Sequence, residues 1–563
     1  MRLINTETLK LHEFPYGEIP PYAILSHTWG SDEVTFQDMS STEHRQKKSF
    51  KKVVDTCSLA SQQGLKFAWV DTCCIDKSSS AELTEAINSM YQWYKNSMVC
   101  YAYIEDLCRG DSIEKLRDCR WVTRGWTLQE LIAPATVEFY DEEWKYRGSK
   151  TEHAGLVSDS TGVPSGILIG KRRLEACSVA ARMSWVARRQ TTRPEDIAYC
   201  MLGIFGANMP LLYGEGLMAF RRLQEEILHR NNDITILAWG RQRSQEQVGC
   251  TGVLAASASD FLGSGSISPF PDDSDSISIT NKGLLVSGDI PIRIVIHPGR
   301  QGYQYMVCLG RNSDSEDCME GLTLRKIGPN SFYRIGVGSL PGQEGAVWNP
   351  NSGHFQEVVT LDYTDFYLLI DPKNPVDQAS RYREHGIHFP HDPIMSIISV
   401  TPQTLWDATD RIFLRRKPYT WHHPIPQVLG LLVDYYIDGH PVKLAVFCDY
   451  EAADPKCGLR LLSTCSRKLL RAFNVSNILN SILWPESEDD SSESKEGHRY
   501  VDVSLGSRTV RISVVLKNER PTRGARGSDI INESDALSSL EFHRFSVRLG
   551  WREIDGSSTQ NHA

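Results

Sequence analysis

Apolar residues in the first 145 positions of the chain follow two spacings, one typical of strands and one typical of helices. Four short apolar runs predict strands, and an amphipathic helix with apolar residues at i, i+3, i+4 and i+7 from Phe50 lies between the first two. The runs are at 22–27, 67–71, 99–104 and 136–140. Strands separated by helices are typical of βαβ units. We therefore expect an α/β domain whose parallel sheet carries helices on its faces.

The pattern becomes helical and then β-rich further along the chain. Helical spacing dominates residues 170–230, and beyond 240 the apolar runs are short and bounded by Gly, Pro or Asp. Asp438-Gly439 separates two apolar runs, which indicates a tight hairpin. We predict three units, namely an α/β core, a helical annex, and a mainly β domain that is sandwich- or barrel-like. Their predicted bounds are 1–150, 151–240 and 241–563.

Two polar segments inside the β-rich part are predicted to be disordered loops. Residues 485–498 are acidic and serine-rich, and residues 518–535 are mostly polar and charged. They are expected to interrupt the β domain without forming a core of their own.

Composition changes the picture mainly by excluding classes of protein. The 563 residues carry a formal net charge of −9 and no Lys/Arg-rich run, so a general nucleic-acid binder is not expected. No secretory leader and no apolar run long enough to span a bilayer is present. The 14 cysteines are scattered without a Cys-x-x-Cys, which favours buried reduced thiols. We therefore expect a cytoplasmic protein, with the adjacent Cys73 and Cys74 on a strand.

One window, Trp121 to Pro134, combines a charged and an aromatic side chain at helical spacing. Trp126 and Glu130 are four residues apart, so a helix would place them on one side, opposite Leu128 and Leu131. A carboxylate beside an indole on an apolar support suits a ligand pocket. The alternative is a surface glutamate next to a core tryptophan.

Polar residues follow the predicted strands where a parallel sheet collects ligands, at the carboxyl ends of its strands. The residues that we predict to converge there are Ser26, Thr28, Trp29, Asp71, Arg124, Trp126 and Glu130. Each also has a purely structural interpretation, since Ser26 or Thr28 could cap a helix and Trp29 could seal the sheet edge.

Sequence signatures of other sites are absent or broken. No P-loop, dinucleotide-binding glycine motif or nucleophile elbow follows a strand. His385, His388 and His391 are spaced at three residues, but Gly386 and Pro390 interrupt the helix that would aim them at one metal ion. We expect no metal and no bound cofactor.

The motifs of the first 240 residues resemble the fungal heterokaryon-incompatibility (HET) domain family. They are YAILSHTWG at 22–30, WVDTCCIDK at 69–77, RGWTLQELIAP at 124–134, and the segments 191–216 and 220–227. The resemblance implies a role in fungal non-self recognition and regulated cell death. It also implies partners that are other incompatibility proteins or further copies of the chain.

A more distant resemblance, to TIR domains, implies a flavodoxin-like sheet and a reaction. Some TIR domains cleave NAD+ with one glutamate, and only Trp126 and Glu130 match that helix motif; Thr127 stands where the family has cysteine, and the loop after the first strand differs. The resemblance implies that Glu130 is catalytic and that NAD+ is a substrate held by the other strand-end residues. The alternatives are a non-catalytic signalling module of the same pathway and a metal-dependent hydrolase at His385.

Overall fold

The computed structural model of the chain describes the N-terminal 240 residues almost completely and the remainder in segments. The described residues are 1–15, 17–40, 43–240, 252–269, 276–288, 292–296, 303–312, 319–337, 339–340, 343–344, 347–348, 356–361, 365–371, 379, 381–383, 386–415, 428–449, 457–462, 500–505, 508–518 and 545–554.

A seven-stranded sheet forms the centre of the N-terminal domain. Its strands are β1 (Arg2–Asn5), β2 (Leu11–Glu13), β3 (Ala23–His27), β4 (Phe67–Trp69), β5 (Val99–Tyr103), β6 (Val137–Tyr140) and β7 (Tyr146–Ser149), in the order β2-β1-β4-β3-β5-β6-β7. The four predicted strands are β3 to β6, and they pair in parallel. The predicted parallel core is confirmed. The prediction was incomplete at both edges, where β1, β2 and β7 pair antiparallel.

Five helices connect the strands of this sheet. They are α1 (Phe50–Gln62), α2 (Asp71–Cys74), α3 (Ser80–Lys95), α4 (Arg120–Thr123) and α5 (Thr127–Ile132). As predicted, α1 buries Val53 and Cys57 against the sheet, and the chain turns beyond it at Gly64, whose φ is +78°. The prediction that Cys73 and Cys74 continue a strand is wrong, because β4 ends at Trp69 and both thiols are buried in α2.

Six further helices follow the sheet, in agreement with the helical annex that the sequence predicts. They are α6 (Ala154–Thr161), α7 (Ser165–Leu168), α8 (Val179–Ser184), α9 (Asp196–Tyr199), α10 (Leu202–Phe205) and α11 (Met218–Leu228). The predicted inner face of α11 is buried and contains Phe220, Leu223 and Ile227. On α10, a Cβ atom added to Gly203 would lie 2.0 Å from Cβ of Tyr91, so α10 packs directly on α3.

The described residues beyond 252 are mainly β, in agreement with the predicted class. Their strands are β8 (Ile267–Ser268), β9 (Ser276–Thr280), β10 (Gly283–Ser287), β11 (Ile292–Ile296), β12 (Tyr303–Asn312), β13 (Met319–Gly328), β14 (Ser331–Val337), β15 (Ser339–Leu340), β16 (Gln343–Glu344), β17 (Val347–Trp348), β18 (Gln356–Leu361), β19 (Asp365–Leu368), β20 (Ile387–His388), β21 (Met395–Thr401), β22 (Trp406–Asp407), β23 (Ile412–Phe413), β24 (Val428–Ile437), β25 (His440–Asp449), β26 (Cys457–Leu461), β27 (Tyr500–Leu505), β28 (Arg508–Asn518) and β29 (Phe545–Ile554).

These strands form sheets of ten, six, four and two strands within the described residues. The predicted hairpin at Asp438-Gly439 is confirmed. Both residues have positive φ, +48° and +84°, and they join β24 to β25 through a two-residue turn. The predicted loop at 485–498 lies outside the described residues, as does 518–535 apart from Asn518, which ends β28.

Hydrogen bonds join the helical annex to the chain beyond residue 252. Gln224 on α11 exchanges two 2.9 Å hydrogen bonds with the backbone of Ala255. Arg334 donates to the carbonyl of Leu237 at 2.8 Å, and its guanidinium lies 3.4 Å above the Trp239 ring. The helical annex and the β-rich part are therefore in contact across the predicted boundary at residue 240.

The cysteines agree with the sequence prediction except at one pair. Among the described residues, nine cysteines are free, and of these only Cys108 is exposed. Cys448 and Cys457 form a disulfide, which the prediction of reduced thiols missed. They face each other on the antiparallel strands β25 and β26, with Cα atoms 4.2 Å apart, a pairing that their spacing alone does not reveal. In the described part of the chain, no helix is long and apolar enough to cross a membrane.

Candidate functional site

The candidate site is centred on Glu130, which lies on α5 at the carboxyl end of β3. The side chain is only 7% exposed, and every residue of α5 is buried. The alternative of a surface glutamate next to a core tryptophan is therefore not observed. Trp126 stands just before the helix and is half-buried, whereas Glu130 is directed into the domain.

A break between α4 and α5 aims Glu130 inward. At the break, Gly125 approaches Thr191 so closely that a Cβ atom would lie 2.5 Å from its Cγ2. The carbonyl of Arg124, left free by the break, accepts a 2.7 Å hydrogen bond from Arg189. Arg189 also donates to the Thr127 hydroxyl at 3.0 Å. Glycine is needed at position 125 because the annex packs against the backbone there.

Neutral groups surround the Glu130 carboxyl. The Ser26 hydroxyl, at the end of β3, donates to Glu130 Oε2. The indole nitrogen of Trp121 donates to Ser26 Oγ at 2.8 Å. The Tyr94 hydroxyl donates to the carbonyl of Leu25 at 2.9 Å, and it lowers the pKa of the nearby Glu130 carboxyl. The structure thus confirms the proximity of Ser26 and Glu130 that we expected from their strand-end positions.

The protonation of Glu130 follows from this environment. Burial raises the pKa of the Glu130 carboxyl to about 8, because an ionised carboxylate is poorly solvated inside the domain. The hydrogen bond from Ser26 and the positive charge of Arg124 oppose this shift, whereas the Asp71 carboxylate adds to it. At neutral pH, Glu130 is therefore mostly a neutral carboxylic acid.

Trp126 makes its polar contact on the annex side, away from Ser26. It hydrogen-bonds to the carboxylate of Asp196 at the start of α9, which also accepts from the Tyr213 hydroxyl at 3.0 Å. The indole that reaches the Glu130 cluster is that of Trp121. Sequence reasoning missed both Trp121 and Tyr94 as site residues, because neither lies at helical spacing from Glu130.

Trp29 and Asp71 form a second cluster on the same edge of the sheet. The Trp29 indole nitrogen donates to Asp71 Oδ2 at 2.9 Å, and Lys77 Nζ lies 3.6 Å from the centre of the Trp29 ring. The same ammonium is 4.0 Å from Asp71 Oδ2. Trp29 is 39% exposed, so this cluster presents an aromatic surface to solvent.

The opposite side of Asp71 faces a buried histidine. Nδ1 of His27 lies 3.9 Å from Asp71 Oδ1, and Nε2 lies 3.7 Å from Glu33 Oε2. Although burial opposes it, the nearby His27 and hydrogen bonds from the Gly30 N–H and from Lys52 lower the pKa of Glu33 to about 2. Asp71 and Glu33 therefore flank His27 from both sides.

The seven predicted residues thus fall into separate groups. Ser26 and Glu130 are in direct contact, and Asp71 and Arg124 act on Glu130 through their charge. Trp29 contacts Asp71, and Trp126 contacts the annex. Thr28 is buried, and its carbonyl lies 3.4 Å from Lys52 Nζ. In the described ranges no group of His, Cys, Asp and Glu is arranged to hold a metal ion; His385 lies outside them.

Comparison with known proteins shows what part of the N-terminal domain is similar to. Residues 22–110 match the family model described as "Heterokaryon incompatibility protein (HET)", which covers β3 to β5 and therefore Ser26, Asp71 and Tyr94. This part of the chain is therefore similar to a HET domain. The match ends before Glu130, so the family model itself does not include α5.

Two further comparisons extend the assignment. The chain is 46% identical over 226 residues to the "Vegetative incompatibility protein HET-E-1" of Podospora anserina, a match that covers 38% of this chain and 17% of that protein. Residues 218–260 match a domain of unknown function, DUF8212, which crosses the boundary predicted at residue 240. No solved structure matches the chain.

Proposed function

We propose that this protein acts in fungal heterokaryon incompatibility and that its HET domain hydrolyses NAD+ at Glu130, leading to cell death. The observation that carries the proposal is the pairing of Glu130 with Ser26 at the carboxyl end of β3, between the parallel strands of the sheet. Ligands of open α/β sheets bind at this edge. The incompatibility role is supported by the HET match and by the similarity to the Podospora protein.

The order of the parallel strands supports the TIR-like part of the proposal. Numbered along the chain, β3 to β6 are arranged second, first, third, fourth. This is the beginning of the order that flavodoxin-like sheets have, with its switch point between the first and third strands. Ser26 ends the first of these strands, which is where that fold class binds its ligands.

Hydrolysis of NAD+ requires one carboxylate. Hydrolysis breaks the bond between the nicotinamide nitrogen and ribose C1, and water adds to C1, which yields nicotinamide, ADP-ribose and a proton. Positive charge develops on the ribose as the bond breaks, as it does in glycoside hydrolysis. An ionised Glu130 would stabilise that charge and hold the ribose hydroxyls. Nicotinamide leaves without needing a second acid.

Glu130→Gln tests this reaction with the smallest change of shape. We expect purified wild-type protein, incubated with NAD+ in dilute and in crowded solution, to release free nicotinamide, and the variant to release none. Glu138→Gln is the matched control, because Glu138 lies on β6 of the same sheet and accepts a hydrogen bond from Tyr140. Nicotinamide release by Glu130→Gln at the wild-type rate would refute a catalytic Glu130.

A non-catalytic interaction module is the second candidate, and the exposure of Trp29 favours it. An exposed indole with Lys77 above its ring is the kind of anchor that protein interfaces use. In that case Trp29→Ala would abolish self-association or partner binding and cell death, while neither wild type nor variant would consume NAD+. Binding measured by sedimentation, together with the nicotinamide assay, separates the two functions.

A further inference from the structure

A cavity of about 300 Å³ lies where the helical annex meets the β-rich part. Its wall contains the beginning of α11, the segment around Leu254, and residues 370 and 371 beyond β19. Most of the lining residues fall within 218–260, the stretch that matches DUF8212. Sites for small molecules have volumes of roughly 300–1,000 Å³ and are common at junctions of this kind. The cavity is therefore large enough for a small ligand.

The wall of the cavity is mainly apolar. Trp239, Leu254 and Ala255 line it and are almost fully buried. Leu217 and Met218 also line it, and about half of each side chain is exposed. Burial of an apolar surface against such side chains is favourable. The cavity is thus suited to a ligand with an apolar body.

The charged groups at the cavity carry an excess of negative charge. Among the described residues that line it, only Arg221 and Asp371 are charged. Arg221 lies 2.5 Å from Asp371 Oδ2, and its Nε lies 3.0 Å from Glu225 Oε1, so two carboxylates share one guanidinium. Asp371 Oδ1 has no hydrogen-bond donor in the described part of the chain, and it lies 3.7 Å from the position of a Cβ atom on Gly252. One carboxylate oxygen at the cavity is therefore free to accept.

The cavity exists only where the two parts of the chain are joined. A Cβ atom added to Gly252 would lie 2.0 Å from the carbonyl oxygen of Ile370, so the segment before Leu254 packs directly on the chain beyond β19. A ligand in the cavity would contact α11 on one side and Asp371 on the other. Its binding would favour the joined state, because a ligand stabilises the state that binds it.

We propose that this cavity binds a small organic cation, an amine whose ammonium group donates to Asp371 while its apolar body packs against Trp239 and Leu254. An ammonium group has three N–H donors and no acceptor, which suits the free Oδ1. An anionic ligand would have to break one of the pairs that Arg221 makes with Asp371 and Glu225. The proposal goes beyond NAD+ hydrolysis, because the cavity wall does not include Glu130.

Three probes with one apolar body and different charges test the class of ligand. They are 4-phenylbutylamine, 4-phenylbutanol and 4-phenylbutyrate, added to the full chain at neutral pH and followed by ligand-observed NMR. We expect the amine to bind about tenfold more tightly than the alcohol, because its hydrogen bond to Asp371 is charge-assisted. The carboxylate should bind more weakly than the alcohol.

Two substitutions locate the binding site. Asp371→Asn keeps the shape of the side chain and removes its charge, so the amine should bind no more tightly than the alcohol. Asp365→Asn is the matched control, because Asp365 is an exposed aspartate at the start of β19, and it should leave the preference unchanged. Ala256→Phe fills the cavity from an exposed position and should abolish binding of the amine and the alcohol.

Several results would overturn the proposal. Equal binding of the three probes, or tighter binding of the carboxylate, would refute a site for cations. Amine binding that persists in folded Ala256→Phe would show that the ligand lies elsewhere. Failure of the amine to bind wild type at about 10 mM would refute the site itself. Each result is independent of nicotinamide release, so the hydrolase and this site can fail separately.

Discussion

Charged side chains are buried in both halves of the molecule, but the groups that contact them differ. In the N-terminal domain, Glu130 accepts a hydrogen bond from the neutral hydroxyl of Ser26, and burial raises its pKa to about 8. In the β-rich part, Arg383 contacts two carboxylates, donating to Asp407 and to Asp410, the latter at 2.8 Å. Arg325 adds a second contact to Asp410 at 2.5 Å.

The two arrangements differ in whether the buried acid can change its charge. Although burial opposes it, Arg325 and Arg383 hold the pKa of Asp410 below its ordinary value, so this acid stays charged and paired. An acid that is paired in this way cannot easily change its charge. Glu130 has no directly bonded cation among the described contacts, and burial raises its pKa to about 8, so its charge can change close to neutral pH. An acid of this kind is typical of functional sites.

The largest expected effect comes from breaking the ionic network. Arg383→Met leaves Asp407, which is fully buried, without its guanidinium partner. We expect a loss of about 3–5 kcal/mol in the free energy of unfolding of the β-rich part, because an uncompensated buried charge is costly. Chemical denaturation monitored by tryptophan fluorescence measures it.

A matched control is Arg511→Met, which removes an exposed ion pair with Asp502 on β27 and β28. It should leave the unfolding midpoint almost unchanged. Equal effects of the two substitutions would show that burial does not distinguish these pairs.

The second-largest expected effect concerns Glu130, the buried acid that has no directly bonded cation. Because folding raises the pKa of Glu130, the folded state binds its proton more tightly, so Glu130 stabilises the protein less as the pH rises from the ordinary glutamate range to about 8. Glu130→Gln cannot ionise. Above pH 8 we therefore expect the variant to be more stable than wild type by roughly 2–4 kcal/mol, and below pH 5 to lose this advantage.

Thermal unfolding across this pH range tests that sign. Glu138→Gln, on the same sheet, should show no gain of stability at high pH. A Glu130→Gln variant that is less stable than wild type at pH 9 would mean that the folded domain stabilises the carboxylate.

The smallest effect concerns the contact between the two halves. Arg221 on α11 lies 2.5 Å from Asp371, just beyond β19, but both side chains are partly exposed. Arg221→Met should cost about 0.5 kcal/mol. Arg230→Met is the control, since the observed contacts of Arg230 are with Glu226 and with the carbonyl of Gly206, both in the helical annex. If Arg221→Met instead separated the unfolding of the two halves into two transitions, this ion pair would be essential to their coupling.

Regular periodicity made much of the fold predictable. The four parallel strands, the inner faces of α1 and α11, and the Asp438-Gly439 hairpin were all predicted, because each depends on local spacing or on a required backbone conformation. The edge strands β1, β2 and β7 were missed, since half or more of the residues in each are polar and no apolar run marks them.

The candidate site was predictable only in part, for a related reason. The contact of Ser26 with Glu130 was expected, because both follow strands of a parallel sheet and such ends share one edge. The partnership of Trp126 with Glu130, inferred from helical spacing, stays a prediction, since the contact found for Trp126 is with Asp196 on α9.

The amino-acid sequence by itself determined that this protein has motifs similar to those of HET domains, a parallel sheet, and a glutamate near the sheet's ligand-binding edge, since these depend on local patterns and motifs. Only the tertiary structure decided that Trp121 and Tyr94 complete the cluster and that Glu130 is buried among neutral partners. Residues 94, 121 and 130 come from different helices, and their contacts depend on how those helices pack. The charge of Glu130 depends on that packing, because burial and the direction of hydrogen bonds set its pKa.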